Sequence, residues 1–337
     1  MSLRTKEIMP LSTNHLLNEK REGVVMNMSI EEILKNEYDL REIWELRDMS
    51  ASSPCYQVAT SEASYMLKQV DRSDFLKIYH KAQKVLTENG LIQGRLIPTR
   101  ENKLMSSAGY SLTEYVPGEA IETYNDKQFY AIVSYLRTYH QILRQVPFEE
   151  TEIEEKNAWD KVKSVVFLCD QVDEIVKQFE LEEKQRFLLR SAQKVLSDYM
   201  DDFNRNPKQL IHSDVGPGNV VFCGNSIQAI IDFTPEYENE LYALSQFLYW
   251  TCLWEFSGTA SLDRIRSTLK IYLNGEVTEE FSEGLFPYLV KACMVRIMGP
   301  MLNDAQTGVF RSSKIRKRMR ALETLFDFRQ QVTSIVR

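Results

Sequence analysis

The spacing of apolar side chains changes close to residues 114–120, and this change limits what the chain can fold into. Before it, short β-rich runs separated by turn-forming residues predict an antiparallel meander. After it, long segments carry apolar side chains at the 3.6-residue period of amphipathic helices. Strands followed by helices are typical of an α+β protein. We therefore expect two lobes, residues 29–116 and residues 117–337, after an N-terminal extension of residues 1–28.

The predicted elements make the first lobe (N-lobe) a small antiparallel sheet and the second (C-lobe) larger and mainly helical. Ser29 and Glu32 form a capping-box signature before a short helix, and Asn89-Gly90 ends a helix that starts near Asp74. The predicted strands cover residues 43–46, 55–59, 64–70, 96–98 and 110–116. The predicted C-lobe helices cover residues 129–146, 158–179, 185–203, 241–256, 262–273 and 281–303.

Composition excludes several classes of protein. The 337 residues include 41 basic and 48 acidic side chains, and the net charge of −7 argues against general nucleic-acid binding. The five cysteines form no CxxC pair, which favours reduced thiols over disulfides or zinc ligands. No apolar run approaches the roughly 20 residues of a membrane span, and the N-terminus lacks the apolar region of a signal peptide. We expect a cytoplasmic protein without a membrane span.

A predicted hairpin in the middle of the C-lobe carries most of the chemical information. Two β-rich runs flank Gly224-Asn225, a dipeptide expected in a two-residue hairpin turn. Folding about this turn places Asn219 opposite Ile230, and Asp232 follows two residues later on the same face. Asp214 precedes the hairpin in a polar loop. We therefore expect the two aspartates and the asparagine to meet at the open end of the hairpin.

Oxygen-bearing side chains in this arrangement suit phosphoryl transfer. Mg²⁺ prefers one or two carboxylates, water and substrate phosphates as ligands. The Asp-x-x-x-x-Asn spacing, followed by a second Asp, fits a site in which one Asp receives the proton of the attacking hydroxyl while the other two hold Mg²⁺. Gly216 and Gly218 allow the loop to approach a ligand closely, and Pro217 stiffens it. The alternative is a hairpin whose Asp and Asn side chains only cap turns.

The hairpin resembles a known family. It resembles the catalytic loop and metal motif of the aminoglycoside phosphotransferase/choline kinase-like superfamily in two segments, His212-Ser-Asp214-Val-Gly-Pro-Gly-Asn219 and Ile230-Ile-Asp232-Phe. Within this superfamily, the sequence is most similar in character to the spore-coat kinase-like and homoserine kinase-like branches. The resemblance implies a small-molecule kinase with a bilobal protein-kinase-like fold. It also implies that Asp214 is the catalytic base, that Asn219 and Asp232 bind Mg²⁺, and that His212 supports the loop. A purely structural hydrogen-bonding role is the alternative for His212.

The same resemblance implies a nucleotide site in the N-lobe. Tyr65-Met-Leu-Lys68 is similar to the strand whose lysine neutralises the charge of the α- and β-phosphates. Ser52 and Ser53 would belong to the loop that covers the phosphates. The backbone of Glu114 and Val116 would bind adenine at the hinge between the lobes. ATP is the expected co-substrate, and GTP is left open.

Two departures from the family pattern leave the activity open. The helix that starts near Asp74 has no central glutamate to pair with Lys68, and the phosphate loop contains no glycine. The first hypothesis is an ATP- and Mg²⁺-dependent kinase that phosphorylates a hydroxyl of a small molecule. The second is a catalytically weak or inactive kinase-like protein that binds nucleotide or acts as a scaffold. The third is a helical interaction protein without a nucleotide site.

The sequence leaves the acceptor and a basic segment open. A cationic acceptor would suit a group of aromatic and acidic C-lobe side chains. These are Tyr249, Trp250, Trp254, Glu236, Glu238 and Glu240. Aromatic residues at helical spacing are also typical of a core, which is the alternative. The basic run at residues 311–320 fits a solvated or acid-paired helix face, or else a regulatory or membrane-surface patch.

Overall fold

The computed structural model describes residues 28–50, 53–254, 259–275, 279–307, 312–327 and residue 329. The predicted extension, apart from Met28, lies outside the described residues. Ser52 in the predicted phosphate loop and Arg311 in the basic run lie outside them as well.

The N-terminal part is a five-stranded antiparallel sheet with one helix before it and one within it. The strand order is β1-β2-β3-β5-β4. The elements are α1 (Ile30–Glu37), β1 (Ile43–Asp48), β2 (Cys55–Thr60), β3 (Ser64–Gln69), α2 (Ser73–Glu88), β4 (Leu96–Ile97) and β5 (Tyr110–Glu114). The five predicted strands are therefore confirmed, and the register places Lys68 of β3 between Cys55 of β2 and Ser111 of β5.

A small apolar core holds α1 against this sheet. Ile33 and Leu34 of α1 are buried together with Val58 and Leu67, which lie in the centre of β2 and β3. The capping box predicted at Ser29 is present, because its side chain accepts the amide of Glu32 while the Glu32 carboxylate accepts the amide of Ser29. The helix that the sequence predicts therefore begins where its cap is.

The C-terminal part is mainly helical and contains two small sheets. Its strands are β6 (Glu119–Ala120), β7 (Gln209–His212), β8 (Val220–Cys223), β9 (Ser226–Ile230) and β10 (Pro235–Glu238), with β6-β8-β9 in one sheet and β10-β7 in the other. Its helices are α3 (Asp126–Leu143), α4 (Ala158–Lys161), α5 (Val165–Gln178), α6 (Glu183–Asp198), α7 (Met200–Arg205), α8 (Glu240–Leu248), α9 (Thr259–Tyr272), α10 (Glu279–Thr307) and α11 (Ser312–Asp327). The α+β, protein-kinase-like fold class is confirmed; the exact boundary at residues 116 and 117 stays a prediction.

Three predicted helices are each divided in the structure. The segment predicted as 158–179 forms α4 and α5, because Ser164 accepts the amide of Phe167 and so starts a second helix. The segment predicted as 185–203 forms α6 and α7, which meet at Tyr199. The segment predicted as 241–256 forms α8 followed by a π-helix at Tyr249–Trp254. Hydrophobic periodicity alone could not show these breaks, because the apolar face continues across each of them.

Helix α10 runs through the centre of the helical part. Its segment Gly284–Asn303 has a mean hydropathy of 1.3 over a membrane-spanning length, although 83% of that segment is buried inside the fold. The sequence analysis missed this run because Lys291 and Arg296 interrupt it. Packing against α8, α11 and α6 accounts for the apolar composition as that of a core helix. The cytoplasmic location stays a prediction.

Arg72 ties the start of α2 to the helical part. Its guanidinium donates to both oxygens of Asp74, at 3.0 and 2.6 Å, and to both oxygens of Asp160 of α4, each at 2.9 Å. It also donates to the carbonyl of Glu154 at 2.7 Å. Burial raises the pKa of Asp74, but the hydrogen bonds from Arg72 and from the Glu154 amide, together with the charge of Arg72, lower this pKa to about 2. This buried contact fixes how α2 meets α4.

We predict that Arg72→Met lowers the free energy of unfolding by about 3 kcal/mol, because it leaves two buried carboxylates without their cation. Since the folded-state pKa of Asp74 is depressed, its contribution to stability is complete above pH 4 and is lost as the pH falls towards 2. The variant should therefore also lose part of this acid dependence. Urea unfolding between pH 2.5 and 7 measures both effects.

The matched control is Arg95→Met, which breaks the exposed ion pair with Glu114. It should cost less than about 1 kcal/mol. Equal losses in the two variants would contradict the role assigned to Arg72.

Candidate active site

A buried histidine organises the backbone of the predicted catalytic loop. Nδ1 of His212 accepts the amides of Asp214, at 3.2 Å, and of Thr234, at 3.3 Å. Its Nε2 donates to the carbonyl of Ile231 at 3.1 Å. These partners require the neutral ring protonated on Nε2, and burial lowers the pKa of His212 in the same direction. His212 therefore lies behind the loop and joins it to the chain that carries Asp232.

The hairpin forms with a register one residue away from the predicted one. Val220, rather than Asn219, pairs with Ile230, and the register shifts between Val221 and Phe222. The physical reason is a β-bulge at Gln228, an extra residue on β9 that has no partner on β8. Beyond this bulge, the pairing is displaced by one residue from the register that the two-residue turn alone would give. The carbonyl of Asn219 instead accepts the amide of Ile231 at 2.9 Å.

Asp232 lies beyond the end of β9 rather than on the strand. Its φ of +57° is in the left-handed region, which aspartate tolerates better than most residues. The side chain is about half exposed and accepts a hydrogen bond from Nζ of Lys68 at 2.7 Å. The two residues are 164 positions apart in the sequence, so this contact is made by the tertiary fold.

Lys68 pairs with Asp232 and not with a glutamate of α2. The carboxylates of this helix are Asp74, which Arg72 holds, and Glu88, which lies at its last residue. The departure seen in the sequence is therefore present in the structure.

Asp214 is held by two donors that sequence reasoning missed. Arg296 of α10 donates from Nη2 to Oδ1 of Asp214 at 2.7 Å, and Trp250 donates from Nε1 to the same oxygen at 3.3 Å. Burial raises the pKa of Asp214, but the charge of Arg296 and the hydrogen bonds from Arg296 and Trp250, together with His212, hold this pKa below its usual range. Asp214 is therefore ionised at neutral pH. No local motif marks Arg296, which is 82 residues from Asp214.

Asp214 faces a cavity of about 330 Å³. The wall is formed by the predicted catalytic loop, the π-helix and the segment before α3. The lining residues are Glu122, Asp214, Gly216, Pro217, Asn219, Trp250 and Trp254. Sequence reasoning also missed Glu122, because it lies in a short exposed loop with no recognisable motif.

The structure divides the residues that the sequence analysis assigned to a cationic acceptor. Only Trp250 and Trp254 line the cavity. Tyr249 is fully buried, and Glu238 is buried in an ion pair with Lys291. The remaining two carboxylates also have partners, since Glu240 pairs with Arg144 and Glu236 lies 3.8 Å from Lys163. The core alternative therefore holds for Tyr249, Glu236 and Glu238.

The two tryptophans that line the cavity each pack against a positively charged side chain of the protein. The Arg296 guanidinium lies 4.8 Å from the centre of the Trp250 ring, and the Lys317 amine lies 4.0 Å from that of Trp254. Lys317 belongs to the basic run, so at least one of its residues packs on an aromatic ring. These contacts occupy one face of each ring with positive charge.

The residues expected to bind nucleotide lie in the N-terminal sheet and in the segment that follows it. Ser53 is half-buried in the β1–β2 loop, where the Ser50 hydroxyl accepts the amide of Cys55 at 3.0 Å. Val116 packs with Val221, Ala229 and Ile231 in a small apolar cluster. The side chain of Glu114 is held by Arg95, at 2.6 Å.

Asn219 and Asp232 offer oxygen donors that fit a magnesium ion. The amide nitrogen of Asn219 donates to the carbonyl of Asp214 at 2.8 Å, and Asp232 uses one carboxylate oxygen for Lys68. The remaining oxygens, Oδ1 of Asn219 and Oδ2 of Asp232, have no donor within the described parts of the chain. No group of three His, Cys, Asp or Glu side chains occurs there that could hold a metal ion. The donor set suits a cation that takes most of its ligands from phosphates and water.

This fold and this constellation define a phosphotransferase of the kinase class. Residues 44–235, more than half of the chain, match the model of the phosphotransferase enzyme family (APH). The chain belongs to this family. No curated protein matches it by sequence.

Three solved structures with similar folds illustrate the likeness. An amicoumacin kinase in complex with AMP-PNP, Ca²⁺ and Ami has a TM-score of 0.63 and 16% identity, covering 89% of this chain and 94% of its own. The choline kinase LicA from Streptococcus pneumoniae has a TM-score of 0.58 and 16% identity, covering 88% and 98%. A thermostable mutant of aminoglycoside phosphotransferase APH(4)-Ia, with ADP and hygromycin B, has a TM-score of 0.63 and 13% identity, covering 89% and 98%.

We predict that Gly216→Ala destabilises the protein by about 1–3 kcal/mol, since the added methyl group would displace the closely packed indole of Trp250. A Cβ atom at this position would lie 2.8 Å from Cδ1 and 3.0 Å from Cγ of Trp250. A double-mutant cycle with Trp250→Ala, measured by urea unfolding, isolates that contact. The cost of Gly216→Ala should fall below about 0.5 kcal/mol once the indole is absent. An unchanged cost in the Trp250→Ala background would show that the indole is not what requires glycine here.

Proposed function

We propose that the protein is an ATP- and Mg²⁺-dependent kinase that transfers the γ-phosphate to a hydroxyl of a small molecule. The observation that carries the proposal is the ion pair between Lys68 and Asp232 beside the loop that presents Asp214. It brings a phosphate-binding cation, a metal-binding carboxylate and a base to one cleft from distant parts of the chain. Two other solved kinases of similar fold, in complexes with AMP-PNP or ADP, support a nucleotide at the corresponding place.

The nucleotide side of the cleft is assigned from its charges and its apolar surface. Lys68 would neutralise charge on the α- and β-phosphates, and the β1–β2 loop with Ser52 and Ser53 would cover them. The apolar cluster around Val116 would receive the adenine ring. The backbone at Glu114 and Val116 would hydrogen-bond its edge.

Asn219 and Asp232 would hold Mg²⁺ through Oδ1 and the carboxylate. The bound ion would supply positive charge against the β- and γ-phosphates. Before nucleotide binds, Lys68 neutralises Asp232 and occupies one of its oxygens, which would weaken the attraction of this carboxylate for a metal ion. ATP and Mg²⁺ would therefore bind together, since the phosphates offer Lys68 a replacement partner.

Asp214 would act on the acceptor. Its carboxylate accepts the hydrogen bond of the acceptor hydroxyl and takes the proton as the new oxygen–phosphorus bond forms. The bond between the γ-phosphorus and its bridging oxygen breaks, and ADP leaves. Because such a transition state is loose, positioning and electrostatics supply most of the rate, and the depressed pKa of Asp214 is compatible with this role.

The acceptor would bind in the cavity beside Asp214. A volume of about 330 Å³ is near the lower end of the range for ligand pockets, which favours a small molecule over a macromolecule. The other proteins of similar fold act on small molecules that include choline, as their names state.

A second candidate function is nucleotide binding without turnover. Its support is the absence, within the described residues, of a glutamate on α2 that pairs with Lys68. A kinase that lacks this pair has one contact fewer to hold its lysine in place. Turnover of ATP by the purified protein distinguishes the two functions.

We predict that Asp214→Asn lowers phosphoryl transfer by about 10²–10⁴-fold, since it removes the base, while ATP with Mg²⁺ still raises the melting temperature. Asp232→Asn should abolish transfer and also the Mg²⁺-dependent part of that thermal shift. The measurements are differential scanning fluorimetry with ATP, with and without Mg²⁺, and release of ADP over a panel of hydroxyl acceptors.

The matched control is Asp202→Asn, an exposed carboxylate in an ion pair with Arg205. It should behave as the wild type in both assays. Full activity of either site variant would refute the roles proposed for Asp214 and Asp232. A nucleotide-dependent thermal shift in the wild type without any turnover would favour the second candidate function.

A further inference from the structure

We propose that Arg296 is a positioning residue for the catalytic base, and that Oδ2 of Asp214 is the oxygen that receives the acceptor's proton. This inference rests on the proposed function, because it concerns the same site. It adds a residue that lies far from every motif in the sequence, and it assigns separate tasks to the two oxygens of one carboxylate.

Buried side chains of α8 hold Arg296 in place on the side away from Asp214. Its Nε donates to Oε1 of Gln246 at 2.9 Å, and Nε2 of Gln246 donates to the hydroxyl of Tyr242 at 2.7 Å. Both partners belong to α8 and are about 1% exposed. The guanidinium also lies over the Trp250 ring. Its orientation is therefore set by a buried hydrogen-bond chain, as required of a group that aligns another side chain.

The Arg296 guanidinium makes two hydrogen bonds to the predicted catalytic loop. Nη2 donates to Oδ1 of Asp214 at 2.7 Å and to the carbonyl of Ser213 at 3.2 Å. One contact fixes the carboxylate, and the other fixes the backbone that carries it. A lysine ammonium would keep the charge but could not reproduce this fixed fork.

The two oxygens of Asp214 are in different environments. Oδ1 receives both Arg296 Nη2 and Trp250 Nε1. Oδ2 has no donor among the residues that the structure describes, and the side chain is 38% exposed at the cavity wall. The carboxylate is thus turned so that one oxygen anchors it and the other remains free for a hydroxyl.

The experiment compares Arg296→Met and Arg296→Lys with Arg72→Met. Arg72 is the matched control, because it is another buried cation, paired with Asp74 and Asp160, and it belongs neither to the cavity wall nor to the contacts of Arg296. The first readout is Mg²⁺-dependent hydrolysis of ATP, with water as the acceptor, measured as kcat and KM for ATP. The second is the orientation of the Asp214 carboxylate in crystal structures of the wild type and of Arg296→Met.

We expect Arg296→Met to lower kcat by about 10- to 100-fold and to change KM for ATP by less than about threefold. Arg296→Lys should restore only part of kcat, because an ammonium keeps the charge without the fixed fork. Arg72→Met should alter neither kcat nor KM, although its melting temperature falls. The Asp214 carboxylate should keep Oδ1 towards Trp250 and Oδ2 towards the cavity in the wild type, and it should lose this orientation in Arg296→Met.

An Asp214 carboxylate with the same orientation in wild type and Arg296→Met would overturn the inference. So would a kcat in Arg72→Met that falls as far as in Arg296→Met, since the loss would then come from general destabilisation. If the wild type does not turn over ATP at all, the proposed function fails, while the crystal structures still decide whether Arg296 positions Asp214.

Discussion

The neutral imidazole of His212 is the contact on which the geometry of the site depends. It joins the amides of Asp214 and Thr234 and the carbonyl of Ile231, so two separate stretches of backbone meet at one ring. One stretch carries the proposed base and the other carries Asp232. Because the ring is fully buried, protonating it would cost the desolvation of a charge and would remove both acceptor contacts. The relative position of the two carboxylates is therefore held by an uncharged group.

Each carboxylate is paired with a cation from a distant element, but with different consequences. Lys68 reaches Asp232 from the sheet, and both side chains remain partly exposed. Arg296 reaches Asp214 from the helical part and is held by buried partners. The site thus combines one solvent-accessible ion pair, which is weakly held, with one ion pair that is fixed by the surrounding fold.

The parts of the fold with local signals could be predicted from the sequence. The strands of the N-terminal sheet follow from their periodicity, and the start of α1 follows from its capping box. The hairpin at Gly224-Asn225 was predicted correctly, but its register was not, because the bulge at Gln228 leaves no mark in the pattern. The roles of the predicted site residues stay predictions, although Asp214, Asn219 and Asp232 do meet at one end of this hairpin.

The remaining parts of the site depend on tertiary contacts that no local pattern encodes. In the sequence, Arg296 is a charged residue within an apolar helix, and no nearby motif indicates a role for it. Only the folded structure shows that it contacts Asp214. The sequence around Glu122 is that of an ordinary loop, and only the structure shows that this residue lines the cavity. The cations over Trp250 and Trp254 come from α10 and α11, so the aromatic pair could not be assigned from the sequence to substrate or to core.

The most direct test of a common metal site at Asn219 and Asp232 is a crystal structure of the protein with AMP-PNP and Mn²⁺. The Mn²⁺ ion binds the same oxygen ligands as Mg²⁺ and can be located by its anomalous scattering. The geometry predicts an anomalous peak bonded to Oδ1 of Asn219 and to the Asp232 carboxylate, with Lys68 turned from Asp232 to the phosphates. A nucleotide bound elsewhere, or a metal that contacts neither residue, would contradict it.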